Sequence, residues 1–274
     1  MKIGIGSYAL FWEWNERAPE PLDIPQMLDR AAQLGCEVFQ ICDDPRVPYL
    51  SAAELTAIKT QASSLGLDLE LGTRGTNPAH LREFVAKARL LGARTLRSMV
   101  QRVEVDERGL DGVAGDLSAL IPDLDGADIT LALETYEQVS TGELVGIVSS
   151  VDSPRVGICL DPANCVSALE NPADVIESTA PFVTNLHVKD FAFTRNEGWV
   201  GFLYAGARMG AGLLDLDAEL SAVYTDGRDP SAIVEHWVPW HDTIEQTIAI
   251  ERDWTNASLT ALRKWRDDHT YKEK

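Results

Sequence analysis

Basic residues are scarce in this chain. Its 274 residues include 24 Lys and Arg against 43 Asp and Glu, a formal net charge of −19. Such a surface opposes binding to nucleic acid and to anionic membranes, although it leaves room for a local basic pocket. Cysteine is also sparse. Cys36, Cys42, Cys159 and Cys165 form no C-x-x-C pair, and both local spacings are C-x5-C. That spacing does not match a common zinc site, and the four read as reduced thiols of a cytoplasmic protein. No uncharged apolar run reaches the length of a membrane span. The first residues are not a secretory signal: Gly4, Gly6 and Ser7 break the apolar stretch, and Glu13 and Glu16 follow soon after. No G-x-G-x-x-G opens a helix after the first strand, and no P-loop is present. Low-complexity runs and interdomain linkers are absent as well, which predicts one domain over 1–274.

What fills the chain instead is an alternation repeated eight times. Short β-rich runs fall at 2–8, 38–43, 67–73, 95–100, 129–135, 156–161, 183–190 and 231–237. Between and after them lie amphipathic stretches at 23–34, 51–65, 77–91, 109–121, 141–150, 171–180, 215–224 and 242–266. Ser51 with Glu54 reads as a capping box, and Asn77-Pro78 and Asn171-Pro172 place a capping Asn before a first-turn Pro. Gly35, Gly66 and Gly92 end three of the helices. Parallel strands need crossovers, so eight strand–helix units predict an α/β protein, a (β/α)8 barrel. The stretch 191–214 is too long for a routine connection. It is read as an irregular loop on the C-terminal face of the barrel, a lid or a subunit contact, the latter allowing a homo-oligomer.

Alternate residues of a barrel strand point inward. In the run at 183–190 the inward set is Asn185, His187 and Lys189. In the run at 156–161 it is Gly157, Cys159 and Asp161. Glu134 shares its face with Ala132, and Glu235 ends the last run. Four successive strands thus deliver Glu134, Asp161, His187 and Glu235 to one rim. Three carboxylates gathered without a cation would repel one another, and with one imidazole they suit a single divalent ion: Mn, Mg, Co or Zn. Further candidates lie at neighbouring strand ends. Arg97 offers a bidentate partner for a substrate carboxylate, or else pairs with Glu70 inside the barrel. Lys189 either supplies positive charge to the reaction or pairs with a carboxylate such as Asp161. Trp12 and Trp14 offer aromatic faces to a sugar or to another subunit. Glu251, Arg252 and Asp253 read as a solvated helix face.

The segments A-L-E-T, C-L-D-P-A-N, L-H-V-K-D and V-E-H-W, in this order, resemble the metal-binding strands of the xylose-isomerase-like sugar isomerase/epimerase superfamily, especially its ketose 3-epimerases. The resemblance implies that Glu134, Asp161, His187 and Glu235 are the ligands and that Glu134 and Glu235 form the acid/base pair. One position departs: such epimerases usually carry His three residues after the Asp, where this chain has Asn164, placed here in the substrate site. The segments G-S-Y-A, L-E-L-G-T, H-V-K-D-F and G-A-R-M-G-A-G-L-L-D are similar to proteins grouped with 3-oxo-isoapionate decarboxylases.

The resemblance implies an enzyme of carbohydrate metabolism whose substrate is a small keto-sugar or sugar derivative, passing through a metal-stabilised enediolate. Isomerisation or epimerisation, with one Glu removing a carbon-bound proton and the other returning it, is the first reading. Decarboxylation of a 3-oxo sugar acid is the alternative, with Lys189 beside the enolate oxygen. A non-catalytic sugar-binding barrel is a more distant one. The nuclease branch of the superfamily, with several zinc ions on many histidines, fits poorly with five histidines and a charge of −19.

Overall fold

A computed structural model describes residues 1–196, 198, 200–225 and 227–270. Eight parallel strands close a barrel: β1 (Ile3–Gly6), β2 (Val38–Ile41), β3 (Asp68–Gly72), β4 (Thr95–Ser98), β5 (Thr130–Glu134), β6 (Val156–Leu160), β7 (Val183–Val188) and, after the hairpin β8 (Phe191–Arg195) and β9 (Phe202–Gly206), β10 (Ser231–Val234). Their order around the barrel is β1-β10-β7-β6-β5-β4-β3-β2, so no barrel strand is left as an edge. Most strand residues are buried on both faces, as expected where helices cover the outside of a parallel sheet.

The covering helices follow their sequence signals. In Ile24–Gln33 the buried set Ile24, Met27, Leu28 and Ala31 has helical spacing, and Asp23 with Gln26 closes a capping box. Ser51 and Glu54 do the same for Ala52–Ser64. Asn77 and Asn171 accept from the first turns of Pro78–Leu91 and Pro172–Thr179.

Three expectations are corrected. The helix expected at 109–121 belongs to a longer Arg102–Ala127 segment, broken at Gly109 (φ 68°, ψ 170°). The glycine ends a first helical piece, whose Glu104 Oε2 accepts from Gln101 N at 3.1 Å, before a second begins. The stretch 191–214 is not irregular throughout, because β8 and β9 pair antiparallel from Phe191↔Gly206 to Arg195↔Phe202. Both strands are rich in apolar and aromatic residues, and opposed Phe193 and Tyr204 bring their rings to 5.0 Å. (Residues 197 and 199 of this stretch lie outside the described residues.) Beyond β9, the Asp190 carboxylate accepts from the backbone N–H of Gly210, Gly212 and Leu214 at 2.9–3.1 Å. A side chain at 212 would collide with that carboxylate, which requires glycine there.

The third correction concerns Glu251, which is 1 % exposed rather than solvated. The last helix, Ile244–Thr270, lies across the turn after β1 and buries Glu251, Thr255, Ser258, Leu259 and Leu262, a helical stripe. Glu251 accepts from Trp12 N at 2.9 Å, while Arg252 pairs with Glu13 at 2.6 Å and Asp253 with Arg208 at 2.7 Å. Among the described residues no helix is long and apolar enough to cross a membrane.

Candidate metal centre

β5, β6, β7 and β10 are neighbours in the barrel. Glu134 ends β5, Asp161 follows β6 directly, His187 is the last residue but one of β7, and Glu235 follows β10. All four are buried, with at most 2 % of their surface exposed. The strands therefore gather the four side chains at the C-terminal end of the barrel, where chemistry sits in this architecture. The ligand atoms of Asp161, His187 and Glu235 lie within 4.8 Å of one another, as do those of Glu134, Cys159 and His187. Cys159 is otherwise engaged, its thiol 3.3 Å from Asn185 Oδ1 and its pKa pushed up to about 11, chiefly by burial.

His187 is oriented from below. Gln40, on β2, donates from Nε2 to Glu70 Oε2 and to Asn185 Oδ1, both at 3.0 Å. Its Oε1 therefore faces the ring, 2.8 Å from His187 Nε2. That oxygen can only accept, so Nε2 carries the proton and Nδ1 presents a lone pair upward. Nδ1 stands 3.6 Å from Glu134 Oε1 and 3.5 Å from Glu235 Oε2. A lone pair aimed at two carboxylates is repulsive unless a cation lies between them or the ring takes a second proton.

Four buried atoms of the quartet, one on each residue, have no hydrogen-bond partner among the described residues: Glu134 Oε2, Asp161 Oδ2, His187 Nδ1 and Glu235 Oε1. Buried polar atoms are rarely left this way. Cations stand beside two of them: Arg97 Nη2 forms an ion pair with Glu134 Oε2, and Lys189 Nζ lies 2.8 Å from Asp161 Oδ2. Burial opposes charge on Glu134, but Arg97, His187 and Lys189 outweigh it and hold its pKa below the usual range. Burial also opposes charge on His187, and Cys159, Glu235 and Glu134 outweigh it and pull the imidazole pKa well up. At Asp161 burial prevails over Lys189 and raises the pKa. Three carboxylates and one imidazole at this spacing fit a single divalent ion.

A cleft of about 150 Å³ opens above the quartet, lined in part by Tyr8, Asp43, Arg74, Tyr136 and Trp237. Asn164 lines it too and donates from Nδ2 to Glu134 Oε1 at 2.6 Å. Lys189 also lies there, between Asp161 and Glu235 (3.4 Å), with Nζ 4.3 Å from the centre of the Trp237 ring. The Lys189–Asp161 ion pair weighed from the sequence is thus present. The pair weighed between Arg97 and Glu70 is not. Arg97 Nη1 donates to both oxygens of Asp43 at 3.0 and 3.1 Å and to Thr73 O at 3.0 Å. Glu70 lies deeper, hydrogen-bonded to Gln40, Asn185 and Ser231. It borders a separate cavity of about 290 Å³ that Lys2 and Asp229 also line, so the structure does not bring it to the cleft. Trp12 does not line the cleft but a neighbouring cavity of about 220 Å³ that shares Tyr8 and Trp237 with it; its indole N–H donates to Val238 O at 2.9 Å, and its ring is 5.5 Å from that of Trp240.

Sequence reasoning missed Gln40, which the inward alternation of β2 would have marked. It also missed Tyr8, Asp43, Arg74, Tyr136 and Trp237, which lie outside the regular strands.

The family model described as a xylose isomerase-like TIM barrel matches residues 28–264. The chain is 46 % identical over 262 residues to the 3-oxo-isoapionate decarboxylase of Pectobacterium atrosepticum, which covers 96 % of this chain and 95 % of that protein. The fold is similar to that of a D-psicose 3-epimerase solved in the presence of D-fructose, with a TM-score of 0.71 and 16 % identity over 97 % of this chain and 98 % of that one. It is also similar to the IOLI protein solved with a bound zinc atom, with a TM-score of 0.72 and 19 % identity over 93 % and 96 % of the two chains. The structural likenesses concern the fold. With the family model spanning most of the barrel and a relative aligned along nearly its whole length, the chain belongs to the xylose isomerase-like TIM-barrel family.

Proposed function

We propose that the protein is a divalent-metal-dependent decarboxylase of a 3-oxo sugar acid. The observation that carries the metal part is the convergence of Glu134, Asp161, His187 and Glu235 at one rim, with His187 Nδ1 and Glu235 Oε1 buried and without a hydrogen-bond partner among the described residues. The choice of reaction is supported by 46 % identity to a 3-oxo-isoapionate decarboxylase over nearly the full chain. It is also supported by Asn164, which stands where the resembling epimerases carry a histidine. This reverses the order of the two readings drawn from the sequence.

Glu134, Asp161, His187 and Glu235 would hold the ion. Bound there, it would supply Lewis-acid stabilisation of negative charge on the substrate's carbonyl oxygen. In the reaction the bond between the carboxylate carbon and C2 breaks, CO2 departs, and the electron pair passes into the 3-oxo group as an enolate. C2 then takes one proton. Lys189, kept cationic by Asp161 and Glu235, places a fixed positive charge beside the developing oxyanion. Asn164 and Arg97 fix the two oxygens of Glu134, so that carboxylate cannot swing away. The hairpin β8–β9 is anchored beside this rim, with Tyr204 donating to Ala163 O at 2.6 Å.

The test is carbon-13 NMR of Mg²⁺-loaded protein in D₂O, with a branched 3-oxo sugar acid and a panel of ketoses. Loss of the carboxylate signal, with one solvent deuteron on the product carbon that was C2 of the acid, is expected, and Lys189→Met is expected to slow it at least 100-fold. Deuterium exchange into ketoses without release of CO2 would overturn decarboxylation in favour of epimerisation.

A further inference from the structure

We propose that Arg74, braced by Tyr8 and Asp43, is the residue that grips the carboxylate of the substrate. This rests on the reading of the substrate as a sugar acid.

Three cations face the cleft: Arg74, Arg97 and Lys189. Two are committed to the protein. Arg97 is 3 % exposed, and its terminal nitrogens serve Asp43, Thr73 O and Glu134. Lys189 is 4 % exposed and shared between Asp161 and Glu235. Arg74 differs, because its side chain is 52 % exposed. Its Nε donates to Asp43 Oδ2 at 3.0 Å and its Nη2 to the Tyr8 hydroxyl at 2.8 Å. These contacts use one edge of the guanidinium and fix its plane. Nη1 has no partner among the described residues, so the end-on fork of Nη1 and Nη2 faces outward with hydrogens to give. A planar fork of this kind matches a carboxylate.

The bracing is itself built. Asp43 takes φ +50°, a left-handed conformation unusual for a residue other than glycine. In that conformation its carboxylate meets both arginines and lies 3.3 Å from the Tyr8 hydroxyl. Asp43 thereby sets the distance between the buried cation on Glu134 and the exposed one at the mouth.

Charge points the same way. Asp43, Glu134, Asp161 and Glu235 give four negative charges against the three cations. With the His187 ring neutral as a ligand, a divalent ion on the quartet leaves an excess of one positive charge. That excess suits a singly charged anion better than a neutral sugar. The chemistry also favours a grip at the mouth. When CO2 leaves, the negative charge moves to the carbonyl oxygen, and once C2 is protonated the product is neutral. Arg74 then holds nothing, and release is eased.

The test uses Mg²⁺-loaded protein and 3,4-dihydroxybutanoate, whose 3-hydroxyl replaces the oxo group so that no CO2 can leave. Calorimetric titration of the wild type should show binding. Arg74→Gln should weaken it about 10- to 100-fold, the usual range for a lost hydrogen-bonded ion pair. Arg74→Lys should restore part of the affinity, Tyr8→Phe should weaken it several-fold, and Mg²⁺ affinity should stay unchanged in all three. Equal binding by Arg74→Gln would overturn the proposal. So would a wild type that does not bind the acid, or an Arg74→Gln protein that loses Mg²⁺ as well, which would mark Arg74 as a support for the metal centre. CO2 release from the 3-oxo acid, measured on the same samples, separates the two claims. Turnover with an affinity indifferent to Arg74 refutes the grip alone. Arg74-dependent binding without turnover refutes decarboxylation alone.

Discussion

Gln40 lies beneath the candidate metal ligands, yet it decides which nitrogen of His187 faces them. Its amide is oriented by Glu70 and Asn185, so only its oxygen is left for the ring. Partners of this kind fix the tautomer of a metal-binding histidine, and their loss typically costs 10- to 100-fold in metal affinity. Gln40→Met keeps the length and removes the acceptor. It is expected to weaken Mn²⁺ binding about 10- to 100-fold by calorimetry, with the fold retained by circular dichroism. Affinity equal to wild type would show that Gln40 does not set the ligand geometry. At this scale the sequence was legible where a strand imposes its period. Glu134, Asp161, His187 and Glu235 fall at strand ends in an alternation that leaves one face to choose. Asp43, Arg74 and Tyr8 follow their strands, where direction depends on turn conformation, such as the positive φ of Asp43, and no period reports it.

The barrel elements were legible because the strands are short β-rich runs and several of the helices between them start on a cap or end on a glycine. The hairpin β8–β9 was not, since its strands lie within a glycine-rich stretch that reads as loop. The last helix was recognised as a helix but its buried face was misassigned at Glu251, a charged residue occupying a core position of the stripe with Thr255, Leu259 and Leu262. Burial, aided by nearby Glu13, raises the Glu251 pKa well above its ordinary 4.5, against the hydrogen bonds it accepts from Trp12 and Glu13. The folded state therefore holds a proton that the unfolded chain releases near that value. The contribution of Glu251 is complete below about pH 4.5 and is lost as pH rises through the folded pKa, by up to about 1.4 kcal/mol per pH unit in that window. Glu251→Gln keeps an acceptor for Trp12 N and removes the titration. Urea unfolding is expected to show the variant gaining stability over wild type between pH 5 and pH 8. Parallel stability curves would mean that the carboxyl group is solvated or paired in solution.

For the whole molecule, the quartet makes stability a function of metal. Four buried groups at the C-terminal ends of β5, β6, β7 and β10 join one half of the barrel, and an ion held by all four would tie those strands together. An ion that binds only the folded state at 100 times its Kd adds about 2.7 kcal/mol. For a domain of this size that raises Tm by roughly 5–10 °C. The surface charge of −19 offers a competing explanation, because cations gather on any acidic protein. Two conditions separate them. Salt at 0.15 M shortens the reach of surface charge to about 8 Å but leaves a buried site largely unscreened. Asp161→Asn removes a single buried ligand charge while keeping the oxygen that caps Ala163 and Asn164. Calorimetric melting of chelator-treated protein, then with Mg²⁺, Mn²⁺, Co²⁺ or Zn²⁺ added at 0.15 M salt, should show the rise for at least one ion in wild type and its loss in Asp161→Asn. A rise that survives the substitution would assign the stabilisation to the surface. No rise with any of the four ions would remove the metal centre and, with it, the Lewis-acid half of the proposed reaction.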